Sequence, residues 1–74
     1  MISPEQCRAA RAWLDWSQQE LASRARIGLS TVKDFERGER KPITNNLDAI
    51  QRAIETEGIV LLEDGGRAVG LRLK

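Results

Sequence analysis

Apolar residues along this chain recur first with the period of a helix and then with that of a strand. Leu47, Ile50 and Ile54, at i, i+3 and i+7, predict an amphipathic helix from about Thr44 or Asn45 to Glu57, stopped by Gly58. Upstream, Val32 and Phe35 at i and i+3 mark the buried stripe of a shorter helix that ends before Gly38. Leu21 and Ala22 face inward from the helix before it, and Ala22 is small enough to let the next helix cross closely. Ala10, Leu14 and either Ala12 or Trp13 supply the apolar side of a first helix that runs to about Asp15. Beyond Gly58 the period changes. Ile59-Val60-Leu61-Leu62 is a short apolar run, Asp64-Gly65-Gly66-Arg67 is turn-like, and Val69-Gly70-Leu71-Arg72-Leu73 alternates, which together read as a β-hairpin. The predicted fold is mainly α: a bundle of four to five helices over residues 1–57, then a C-terminal β-hairpin over 58–74.

Start and stop signals agree with these periods. Ser3-Pro4-Glu5-Gln6 supplies an N-cap, a proline at the first helical position and a capping-box glutamine. Ser17 and Glu20 have capping-box spacing for the second helix, and Gly28 precedes the third. Glu39-Arg40-Lys41-Pro42 is a polar loop closed by a helix breaker. Trp13 and Trp16 are expected to anchor the core, and Cys7 to sit in it as a small buried hydrophobe.

At 74 residues the chain makes one small domain with only several kcal/mol of stability, at about 0.05–0.15 kcal/mol per residue. Cys7 is the single cysteine, so no disulfide framework exists and a reducing compartment suits the chain. No apolar stretch reaches the length of a membrane span or a signal-peptide core, and a cytoplasmic location is expected. With no histidine, one cysteine and no clustered carboxylate pair, the usual zinc sites and histidine-based triads are missing. The expectation is a non-enzymatic protein without metal, cofactor or small-molecule effector, in which Gly65-Gly66 serves a hairpin turn rather than a phosphate cradle.

Net charge is only +1, but it is unevenly spread. Residues 24–42 carry Arg24, Arg26, Lys33, Arg37, Arg40 and Lys41 against Asp34, Glu36 and Glu39, a net +3, while each flank comes to −1. Positive charge thus gathers on and just after the third helix, as expected of a surface that meets nucleic acid.

Gln18, Leu21, Ala22, Thr31, Val32, Phe35, Glu36 and Gly38 stand at fixed spacings over two short helices joined by a tight turn. This segment resembles the phage-repressor (Cro-like, xenobiotic-response-element) helix-turn-helix family, and the resemblance extends over roughly residues 3–57 once the flanking helices are included. Two positions depart from the family pattern. Arg26 stands where the turn favours glycine and must turn left-handed unless the turn is built differently, and Gly28 replaces the small polar cap of the second motif helix.

The resemblance implies a repressor-like fold whose second motif helix enters the major groove of double-stranded DNA. By matching positions, Leu29, Ser30, Lys33 and Asp34 would read base edges: serine donating or accepting, lysine suiting guanine, aspartate accepting from cytosine and leucine meeting a thymine methyl. Gln18, Thr31, Arg37, Arg40 and Lys41 would hold phosphates. Arg11 and Glu36 match a structural ion pair between the first helix and the reading helix. The competing class on the same fold is an antitoxin or anti-activator that captures a protein and has weak or no DNA binding.

The resemblance also implies a homodimer on a palindromic operator, with half-sites about one helical turn apart. The hairpin is the expected contact. Its first strand is apolar on both faces, and an isolated two-stranded hairpin is marginal in water. Pairing hairpins between chains would use Ile59, Val60, Leu61, Leu62, Val69, Leu71 and Leu73.

Overall fold

The computed structural model describes residues 1–74 as four helices and one hairpin: α1 (Pro4–Leu14), α2 (Gln18–Ala25), α3 (Leu29–Glu36), α4 (Thr44–Glu55), β1 (Ile59–Asp64) and β2 (Arg67–Leu73). Leu21, Val32, Ile50, Ile54 and Cys7 form the sealed centre, where α2 packs on both α3 and α4. The hairpin closes one side: β1 leans on α4 and β2 on α1, with Ile59 fully buried and Leu61 and Leu71 against the same core.

The helix ends follow from local chemistry. Ser3 and Gln6 form a complete capping box, the Ser3 Oγ accepting from Gln6 N–H and the Gln6 Oε1 from Ser3 N–H. Ser17 accepts from the N–H of Glu20 at 3.0 Å. The reciprocal half of that box is missing, because the Glu20 carboxylate turns along the helix to Arg24 instead, 3.3 Å away. The α2–α3 turn is closed by Arg26 in the left-handed region, φ 59°, a conformation that costs a side-chain-bearing residue roughly 1–2 kcal/mol relative to glycine. Asp15 makes the same excursion after α1, with φ 58°. Gly28 caps α3 without any side-chain hydrogen bond, and Ile43 does the same for α4.

β1 and β2 pair antiparallel from Ile59↔Leu73 to Asp64↔Arg67, with a register shift after Leu62 that leaves Val69 without an opposite partner. Directly opposite residues share a face, so Ile59, Leu61, Leu71 and Leu73 lie on the helix side and Val60, Leu62 and Arg72 on the outer side. Ile59, Leu61 and Leu71 are therefore spent on the chain's own helices rather than left for a partner, and Val69 is pushed outward at the bulge, 58% exposed.

The tryptophans depart from expectation. Trp13 is 62% exposed and anchors nothing. Trp16 is half-buried against the core, with the Arg24 guanidinium 4.4 Å above its ring. No helix is long and apolar enough to cross a membrane.

Candidate nucleic-acid interface

α3 presents two different faces because three of its residues are claimed from behind. Val32 and Phe35 enter the core, and the Glu36 side chain is almost wholly enclosed. Buried charge requires partners, and Glu36 has four hydrogen bonds from three side chains. Arg11 of α1 donates from Nε to Oε2 at 2.6 Å and from Nη2 to Oε1 at 2.8 Å. Cys7 Sγ donates to Oε2 at 3.1 Å, and Gln18 Nε2 of α2 to Oε1 at 3.0 Å. Arg8 reaches the Glu36 backbone carbonyl, and Arg11 Nη1 holds the carbonyl of Trp16 at 3.0 Å. One carboxylate thus ties α1 and α2 to the end of α3 and fixes the rotation of that helix.

The same contacts set the protonation states. Burial alone pushes the Glu36 carboxyl up. The hydrogen bonds from Arg11, Cys7 and Gln18, with the charge of Arg11, outweigh it and hold the group below the usual carboxylate range. The hydrogen bonds to Glu36 raise the Arg11 guanidinium further, against the effect of burial. Burial, reinforced by the hydrogen bond to Glu36, pushes the Cys7 thiol far above its ordinary value, so it is no thiolate at neutral pH.

The opposite face of α3 is open. Ser30 and Lys33 are exposed, and Lys33 has no ion-pair partner. Asp34 is half-buried and paired with Arg37, Nη2 to Oδ1 at 2.8 Å, while Arg37 Nε also lies 3.4 Å from Glu39. In the free protein Asp34 and Arg37 thus occupy one another, at a worth of about 0–1 kcal/mol for so exposed a pair. Leu29 packs partly against the core and offers only its remaining edge.

A cleft of about 250 Å³ runs between this face and the start of α4. Ser30, Thr31 and Asp34 form one wall; Arg40, Lys41, Pro42, Ile43 and Asn46 form the other. The fold thereby gathers Ser30, Thr31, Asp34, Arg40 and Lys41 around one depression, with Lys33 on the exposed helix beside it. Arg40 and Lys41 are free of ion pairs and available to anions. Gln18 is drawn to Glu36 on the inner side of α3, and Arg37 is held by acidic neighbours. Three residues of the cleft were not anticipated as part of it, among them Pro42, expected only to close the loop before α4. Asn46 carries no motif, and Ile43 is an ordinary apolar residue in sequence; only its 68% exposure sets it apart.

Hydrogen-bonding side chains on an exposed helix, flanked by unpaired cations, suit base edges and phosphates respectively. A family model described as helix-turn-helix matches residues 8–59, a span that runs from α1 to the first residue of β1 and includes every residue of the cleft. No curated protein matches the chain.

Proposed function

The chain belongs to the helix-turn-helix family, and from that premise we propose that it is a sequence-specific transcriptional repressor that binds a palindromic operator as a homodimer. Membership makes it a DNA-binding regulator in general. The finer reading rests on one observation above all: α3 is locked from behind by Glu36 while Ser30 and Lys33 stand free on its outer face beside Arg40 and Lys41. Ser30, Lys33, Asp34 and the exposed edge of Leu29 read bases; Thr31, Arg40 and Lys41 hold the backbone. Arg37 and Gln18 join the phosphate contacts by exchanging Asp34 and Glu36 for DNA.

The dimer is supported by what the hairpin leaves uncovered. Val60 and Leu62 on its outer face are half-buried and stand outside the core cluster, Val69 at the bulge is 58% exposed, and a two-stranded sheet gains most from further cover. A chain this small reads a longer site by doubling itself.

The experiment is selection of bound fragments from a random duplex pool, followed by gel shifts of the recovered duplex over a range of salt. Binding should weaken steeply as salt rises, and the recovered sequences should show two inverted half-sites roughly 34 Å apart. No shift at low salt would overturn the reading and leave the protein-capturing class of this fold in its place.

A further inference from the structure

Arg40 and Lys41 line two cavities at once. One is the cleft beside α3; the other, of about 380 Å³, opens where the N-terminal segment, the end of α3, α4 and the hairpin turn meet. Its size falls within the roughly 300–1,000 Å³ of small-ligand sites. Its interior is apolar. Ile2, Phe35 and Leu47, none more than 5% exposed, form the floor, and Pro4 and Ala68 stand beside them. None of its 11 lining residues is acidic. Arg40 and Lys41 are its only charged side chains, and neither has an ion-pair partner. A hydrocarbon-lined cavity edged by two unanswered cations suits one ligand chemistry, an apolar body that carries a negative group.

We propose that this second cavity binds a small apolar carboxylate, and that its occupation loosens the protein from DNA. The release rests on the DNA-binding reading above; the binding itself does not. At the rim the carboxylate accepts charge-assisted hydrogen bonds from the guanidinium of Arg40 and the ammonium of Lys41. Inside, the apolar body displaces water from Ile2, Phe35 and Leu47. Neither part suffices alone, because an exposed ion pair is worth little in water and a neutral body leaves both cations unanswered. The coupling to DNA follows from the shared residues. A cation that serves the ligand carboxylate is withdrawn from the phosphate at the neighbouring cleft, and by linkage DNA weakens the ligand as much as the ligand weakens DNA. No local motif marks the site, since it exists only where segments far apart in the chain meet.

Octanoate is the probe, with octanamide as the same body without the charge and acetate as the charge without the body. Titrated into the free chain and followed by NMR, octanoate should shift the methyl signals of Ile2 and Leu47 and saturate with a dissociation constant on the order of 1 mM, the scale of so small a ligand. Octanamide and acetate should bind about tenfold more weakly or worse. Lys41→Gln should weaken octanoate and leave octanamide unchanged, whereas Ala68→Leu, which fills part of the cavity, should weaken both. In gel shifts of the selected duplex at constant ionic strength, saturating octanoate should lower DNA affinity about three- to tenfold, the scale of one phosphate contact. Ala68→Leu should bind DNA as the wild type does and no longer respond to octanoate. Thermal unfolding checks the fold of both variants; if Ala68→Leu unfolds, Lys41→Gln and the three ligands carry the test. Equal binding of octanoate and octanamide, or shifts confined to methyls outside the cavity, overturns the site. Unchanged DNA affinity at saturation overturns the release. The titration needs no DNA, so a chain that binds no duplex at low salt overturns the DNA-binding reading, and with it the release, while the NMR result alone decides the cavity.

Discussion

Arg11 grips Glu36 through two nearly parallel hydrogen bonds, 2.6 Å and 2.8 Å long, that join the first helix to the last residue of α3. The guanidinium retains some contact with water, whereas the carboxylate is sealed. Losing Arg11 would therefore leave a buried charge with only Cys7 and Gln18 to answer it. Arg11→Met is expected to destabilise the domain by about 3–5 kcal/mol, and the further change Glu36→Leu to recover much of that loss. Denaturant unfolding of the two single variants and the double variant measures the coupling; a coupling energy near zero would refute the account.

Glu36 also sets the acid limb of stability. Its folded pKa lies below that of the unfolded chain, so its stabilisation is complete above the unfolded value of about 4.3 and drains away as pH falls through the folded value. Urea midpoints should be flat near neutrality and drop below about pH 4. The drop should be shallower in the Arg11→Met/Glu36→Leu variant, which has no carboxyl there to protonate. An unchanged acid limb would show that other carboxylates control it.

Cys7 is enclosed, and its thiol proton is committed to Glu36. Alkylation of the native protein should proceed only as fast as the chain opens, and should accelerate sharply in denaturant. Cys7→Ala is expected to cost about 1–3 kcal/mol, because it removes a donor from a buried carboxylate and leaves a small void. Rapid labelling of the folded protein would contradict this placement.

On the outer face, Lys33 and Arg40 should fail in different ways. Lys33→Ala should relax preference at one base pair by about 1–3 kcal/mol. Arg40→Ala should weaken all sequences alike and reduce the salt slope by about one. Binding to the selected duplex and to single-base variants of it separates the two; uniform losses in both proteins would refute the division of roles.

The hairpin separates folding from association. Ile59→Ala should destabilise the fold by about 2–5 kcal/mol, since the side chain is 1% exposed. Leu62→Asp, on the outer face, should leave thermal stability of the isolated chain nearly intact and shift the mass in sedimentation equilibrium from dimer to monomer. A wild-type chain already monomeric at tens of micromolar would place the dimer contact elsewhere or only on DNA.

What the sequence determined by itself is what neighbours within a few residues decide. Caps at Ser3 and Ser17, the stripe of Val32 and Phe35, that of Leu47, Ile50 and Ile54, and the change of period at Gly58 are all local, so four helices and a hairpin were legible without coordinates. The approach of Arg11 to Glu36 was legible only through the family resemblance, since no local rule pairs residues 25 positions apart. Tertiary structure alone decided which surfaces are covered. Gln6 and Trp13 are seven residues apart and so lie on nearly the same side of α1. Yet the polar residue is buried and the aromatic one exposed. The hairpin reaches Gln6, whose amide donates to the carbonyls of Leu62 and Gly70 at 3.0 Å and 2.7 Å, and it does not cover Trp13. Burial follows from the position of distant segments, a three-dimensional property, whereas hydrophobic period records only a preference. The same reason hid Ile43: its side chain is ordinary, and only the folded chain leaves it standing in a polar cleft.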